Sequence, residues 1–156
     1  MAKIIIAGAG GAPSEGVINS LLRSKREETV LGMGSEPYDL ALSMASKKLW
    51  VPYANAPEYK KALLHLLETE RPDLIHFQND LEIYHASLFR NEILGTGTKL
   101  YMPSHEVIDT CVHKYKSYLA FKEAGVPVAL NMLINNEEDL KEAFAVLADR
   151  DGKIWL

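Results

Sequence analysis

Three stretches hold residues whose type and spacing could do chemistry. The first is Gly8-Ala9-Gly10-Gly11-Ala12-Pro13-Ser14-Glu15-Gly16. A glycine-rich turn between a strand and a helix can aim backbone N–H groups at an anion beside the helix N-terminus. A dinucleotide fingerprint requires Gly-x-Gly-x-x-Gly, and Pro13 stands where the third glycine should be. An acid should follow by about 20 residues to meet a ribose; Glu36 follows Gly16 at that spacing but follows Gly10 by 26. The pattern argues against a nicotinamide site. Gly10 and Gly11 either line a ligand pocket or make a tight turn that reverses the chain, and Glu15 reads first as an acid beside the helix dipole. The second stretch is Gln78-Asn79-Asp80-Leu81-Glu82, at a strand end where doubly wound sheets bind ligands. Asn79 or Asp80 can cap the next helix, and Asp80 can alternatively touch a ligand. The third is Lys114, whose ammonium can meet a phosphate as a mobile point charge or remain a solvated cation on a helix face.

Other chemistries find no support. His65, His76, His85, His105 and His113 form no zinc-type spacing with one another or with carboxylates. The single cysteine, Cys111, lacks a Cys-x-x-Cys partner, excludes an internal disulfide and fits a reducing compartment. No Ser-His-Asp pattern or nucleophile elbow occurs.

Alternating strands and helices must position these residues. Short β-branched or apolar runs predict strands over 3–7, 29–33, 49–51, 74–77 and 99–102. Between them, helices are predicted from Ser14 onward with Val17, Ile18, Leu21 and Leu22 on one face, and over 38–46, 57–70 and 81–94. Pro57 fits a first helical turn, where a missing N–H is harmless. The alternation implies an α/β fold with a doubly wound, mostly parallel, Rossmann-like sheet. Beyond Pro103 the texture changes. Ser104 can cap a short helix, a second runs over 113–124, and Gly125 followed by Pro127 marks its stop. A strand over 128–133, a helix opened by Asn136 and running to about 149, and a strand over 152–156 complete the reading.

With 156 residues, 47% hydrophobic and 24% charged, the chain suits one domain with an appended piece. A net charge of −4 argues against a nucleic-acid surface. No apolar run approaches the roughly 20 residues needed to cross a bilayer. The apolar start is too short for a signal peptide, so the expected location is the cytoplasm.

Residues 103–128, PSHEVIDTCVHKYKSYLAFKEAGVPV, resemble the hinge joining the N-terminal domain of ATP-grasp ligases to their ATP-binding domain, as in carbamoyl-phosphate-synthase-like and biotin-carboxylase-like enzymes. The resemblance implies a Rossmann-like pre-ATP-grasp domain over 1–103, then hinge helices and the first β-α-β piece of an ATP-grasp domain over 104–156. It makes Lys114 an ATP-phosphate contact, although family members commonly carry Asp-Lys where this chain has His113-Lys114. It places Gly10, Gly11, Glu15 and Asp80 around the acceptor substrate. Gly10 to Glu15 is also similar to the Gly-Gly-x-Ser-x-Glu start of D-alanine–D-alanine ligases, with the serine displaced by one and Pro13 in its place. The implied cofactors are ATP and Mg2+, the implied substrate a small carboxylate activated as an acyl phosphate for attack by an amine or other nucleophile. The family's magnesium ligands have no counterpart in this sequence, and Lys153-Ile154-Trp155-Leu156 stands where a strand should lead into a glycine-rich phosphate loop. The chain is therefore expected to be the first third to half of an enzyme and to lack ligase activity alone, with 128–156 either poorly ordered or docked against a second copy in a homodimer. Two alternatives remain: a nicotinamide- or sugar-nucleotide-binding Rossmann enzyme, and a stand-alone α/β domain that binds a nucleotide or other small molecule without catalysis.

Overall fold

The apolar run near the start forms β1 (Lys3–Ala7), all but its first residue buried, in a computed structural model that describes residues 1–148 and 152–153. β2 (Thr29–Gly34), β3 (Lys47–Trp50), β4 (Leu74–His76) and β5 (Lys99–Leu100) join it in one all-parallel sheet ordered β3-β2-β1-β4-β5. Ile5 is in register with Leu31 on one side and Ile75 on the other. Side chains alternate across a strand, so Ile4 and Ile6 take the opposite face from Ile5. Ile4, Ile6 and Val30 form a core cluster with Ile18 of α1 (Ala12–Leu22) and Leu40 of α2 (Pro37–Leu42). α3 (Tyr59–Glu70) buries Tyr59, Leu63 and Leu67 at helical spacing, and α5 (Arg90–Gly95) buries Ile93. This is the doubly wound α/β sheet that the alternation implied.

The described chain divides into two compact units, Met1–Asp109 and Thr110–Leu156, the division falling inside α6 (His105–Val112). The start of α6 belongs to the first unit: His105 Nδ1 lies 2.7 Å from the Ser87 hydroxyl, and Arg90 donates to the Met102 and Pro103 carbonyls at 2.9 and 2.8 Å. The second unit carries α7 (Lys114–Glu123) and α8 (Glu137–Leu147). Gly125 is left-handed at φ 72°, and Asn136 accepts from the Glu138 and Asp139 N–H groups, both at 2.9 Å.

Several elements depart from expectation. The helix over 81–94 is two helices, α4 (Asp80–Ser87) and α5, because Phe89 leaves helical geometry at φ −126°, ψ 32°. The break turns Phe89 into the core, edge-on to Tyr59 with ring centroids 6.4 Å apart, and aromatic burial outweighs an interrupted ladder. α2 stops at Leu42, not 46: Ser43 is extended, freeing the Met44 N–H for Glu15 and Ala45 for the core. α1 begins at Ala12 with Gly11 as its cap, and Ser14 does not cap it; its buried hydroxyl donates to the Ala7 carbonyl at 2.9 Å. Pro57 precedes α3 instead of opening it. No strand forms over 128–133, where every residue but Met132 is exposed. A strand needs a neighbour to complete its ladder, and no described segment pairs with this one. The expected end of α8 at 149 and the strand residues Ile154, Trp155 and Leu156 lie outside the described residues.

Candidate functional site

The sheet order reverses between β1 and β4, and ligands of open α/β sheets bind beyond the strand ends at such a point. Two connections meet there: the glycine-rich loop from β1 to α1 and the Phe77–Asn79 turn from β4 to α4.

Three of the loop's donors are already engaged. Ala9 N–H reaches the Met33 carbonyl at 2.9 Å, Gly11 N–H the Gly8 carbonyl at 3.1 Å, and Gly10 N–H the Glu15 carboxylate at 2.9 Å. The second oxygen of Glu15 accepts the Met44 N–H at 2.9 Å, tying the loop to the segment after α2. Burial works against this charge, but hydrogen bonds from Met44, Ser43 and Gly10 outweigh it and hold the carboxyl below its ordinary value. Gly10 sits at φ 93° so close to α2 that a Cβ would lie 1.8 Å from the Asp39 carbonyl oxygen. Gly10, Gly11 and Glu15 are thus brought together as a self-satisfied turn, offering a ligand their surface but not these N–H groups.

On the facing side, Asn79 caps α4 by accepting from the Leu81 and Glu82 N–H groups at 2.8 and 3.3 Å. Asp80 is exposed at the first position of α4. The residue that sequence reasoning did not single out is Glu82, only 4% exposed, with neither carboxylate oxygen hydrogen-bonded. Asn79-x-x-Glu82 is the spacing of a capping box, in which the acid reaches back to the cap's N–H. Glu82 instead turns inward, one helical step from buried Ala86. Its oxygen lies 3.8 Å from where a Cβ on Gly8 would stand. Burial pushes its carboxyl up to about 7. Buried Tyr59, whose hydroxyl also lacks a partner, is raised by burial and by the nearby Glu82 charge. The signal in the sequence was the i, i+4 pairing of Glu82 with Ala86 on an inward face.

Lys114 is exposed at the first position of α7 in the second unit. Among the described residues, no group of three or more His, Cys, Asp or Glu is placed to hold a metal ion, and no helix is long and apolar enough to cross a membrane.

No protein-family model and no curated protein matches this sequence. Solved structures do. The biotin carboxylase domain of a single-chain bacterial carboxylase superposes with a TM-score of 0.58 at 18% identity, over 94% of this chain and 34% of that one. Glycinamide-RNase-transformylase T from Mycobacterium tuberculosis gives 0.61 at 14% identity, over 90% and 38%. The biotin carboxylase domain dimer of Hydrogenobacter thermophilus 2-oxoglutarate carboxylase, in complex with MgADP, ADP and bicarbonate, gives 0.58 at 15% identity, over 94% and 33%. The chain spans about a third of the length of these structures. At such identities the likeness is one of fold: a Rossmann-like parallel α/β architecture shared with ATP-grasp enzymes.

Proposed function

We propose that the chain is the N-terminal portion of an ATP-grasp ligase that activates a small carboxylate as an acyl phosphate. The observation that carries this reading is the extent of the likeness. It covers 94% of the chain, more than the 109 residues of the first unit can supply, so it includes the second unit as well as the sheet. A stand-alone Rossmann-like binding domain would account for the first unit only.

In this reading 1–103 is the pre-ATP-grasp domain and 104–156 the hinge and opening of the ATP-binding domain. Lys114 supplies a positive charge to an ATP phosphate. Gly10, Gly11, Glu15 and Asp80 border the acceptor crevice, with Glu15 acting through the turn it holds closed. ATP would arrive with Mg2+, as ADP does in the H. thermophilus complex. Among the described residues no group of three or more His, Cys, Asp or Glu is placed to hold a metal ion, and no step through Mg2+ is assigned to this chain. A homodimer and a cytoplasmic location belong to the same proposal.

Calorimetry on the complete gene product tests it. Lys114→Ala should weaken ATP binding by about 10- to 150-fold, the equivalent of one charged hydrogen bond of roughly 1.5–3 kcal/mol, while Lys116→Ala, also exposed on α7, should change little. Unchanged affinity in the Lys114 variant would remove that residue from the site, and no ATP binding by the unaltered protein would remove the ligase reading.

A further inference from the structure

We propose that Glu82 is a proton-operated latch between the glycine-rich loop and α4, closing the β1/β4 crevice while its carboxyl holds a proton and releasing it when the proton leaves.

Geometry carries the proposal. Glu82 occupies a core position on α4, in line with Ala86, where an apolar side chain would pack without electrostatic penalty. It leaves unused the local partner that a capping box would provide, and both of its oxygens lack a hydrogen bond. It also stands at a seam between elements. Ser14 Oγ, the Asn79 Cβ and Glu82 Oε2 lie 3.1, 3.6 and 3.8 Å from the point where a Cβ on Gly8 would stand. Three segments therefore converge over one residue that has no side chain.

The groups facing Glu82 decide what ionisation would do. From α3 comes Tyr59, a neutral phenol close enough for the carboxylate charge to act on it. From α1 comes Ser14, whose hydroxyl is committed to the Ala7 carbonyl, and from the preceding turn Asn79, whose oxygen is committed to two α4 N–H groups. On α4 itself, Asp80 is exposed and His85 half-buried. None of the three facing groups is a cation. A neutral carboxyl is tolerable in that company; a carboxylate is a buried charge with no counter-charge, and such groups are relieved by water or movement. On the side of Gly8 the cover is the glycine-rich loop, held by the Ala9 N–H on the Met33 carbonyl and by Glu15, which accepts the Gly10 N–H and is itself tied to the Met44 N–H. Lifting the loop would admit water to Glu82. The placement of its titration near 7 puts the transition close to neutrality.

The test uses the isotope-labelled 156-residue chain from about pH 5.5 to 8.5, a range bracketing a carboxyl near 7. The side-chain carboxyl carbon of Glu82 is followed together with the amide protection factors of Ala9, Gly10 and Gly11. The carbon should titrate near 7, and the three protection factors should fall about tenfold per pH unit as pH rises towards that midpoint and level off above it. Leu67, inside α3, should not respond. In Glu82→Gln, which keeps the shape without the titration, loop protection should be flat. A carbon that titrates below about 5, loop protection that stays constant as pH rises towards the midpoint, or a pH response that survives in Glu82→Gln would each overturn the latch. If the variant folds poorly, the wild-type chain still decides, because the pH at which loop protection levels off must match the midpoint of the Glu82 carbon.

Discussion

Replacing Glu82 by leucine should stabilise the chain by an amount that grows with pH. In the folded state burial lifts the carboxyl from its ordinary 4.5 to about 7. Each unit of difference is worth about 1.4 kcal/mol, so the full effect is about 3 kcal/mol. The sign follows from proton counting. Below 4.5 the carboxyl is protonated whether the chain is folded or not, and stability does not depend on its titration. Between 4.5 and about 7 the folded chain binds more protons than the unfolded chain, so unfolding becomes easier as pH rises. Above 7 the loss is complete. Leucine carries no proton and removes this slope, while filling the inward position beside Ala86. Urea unfolding of both proteins at about pH 4.5 and pH 8 measures the difference. The advantage of Glu82→Leu should be larger at the higher pH by up to about 3 kcal/mol, any opening of the crevice in the wild type reducing it. An advantage equal at both pH values would refute the reasoning, since it would mean that Glu82 ionises as readily in the folded chain as in the unfolded one.

The glycine-rich turn gives two further tests. Gly10→Ala places a Cβ 1.8 Å from the Asp39 carbonyl oxygen at a left-handed φ of 93°, and should lower stability by more than about 2 kcal/mol. Gly16→Ala, inside α1 with nothing within 4 Å of its added Cβ, should instead raise stability by roughly 0.5–1 kcal/mol; thermal melts in which the two variants coincide would refute the packing of the turn on α2. Glu15→Ala removes the acceptor of two backbone N–H groups and should cost about 2 kcal/mol near neutral pH. Because the Glu15 carboxyl is held below its ordinary value, this penalty should be present above 4.5 and fade as pH falls through the lowered value; a penalty undiminished at about pH 2.5 would show that the side chain acts by something other than its charge.

What could be read from the sequence was what neighbouring residues decide among themselves. The β-branched run at Ile4–Ile6 and the leucine spacing of α3 set strand and helix, and their alternation left a parallel, doubly wound sheet as the consistent arrangement. Asn79, Asn136 and Gly125 mark helix ends through bonds and dihedrals within a few residues, so their roles were visible locally. The remaining features depended on partners far along the chain. Glu15 spends its charge on Met44, 29 residues away. The break between α4 and α5 exists because Phe89 meets Tyr59, and the bare run over 128–133 stays unpaired because no described strand lies beside it. Glu82 makes the contrast sharpest: its spacing from Asn79 suggests a surface capping box, yet it is buried unpaired between Gly8 and Tyr59. Composition and periodicity report which residues can be buried, but the dielectric surroundings of one carboxyl are fixed by elements that only the folded chain brings together.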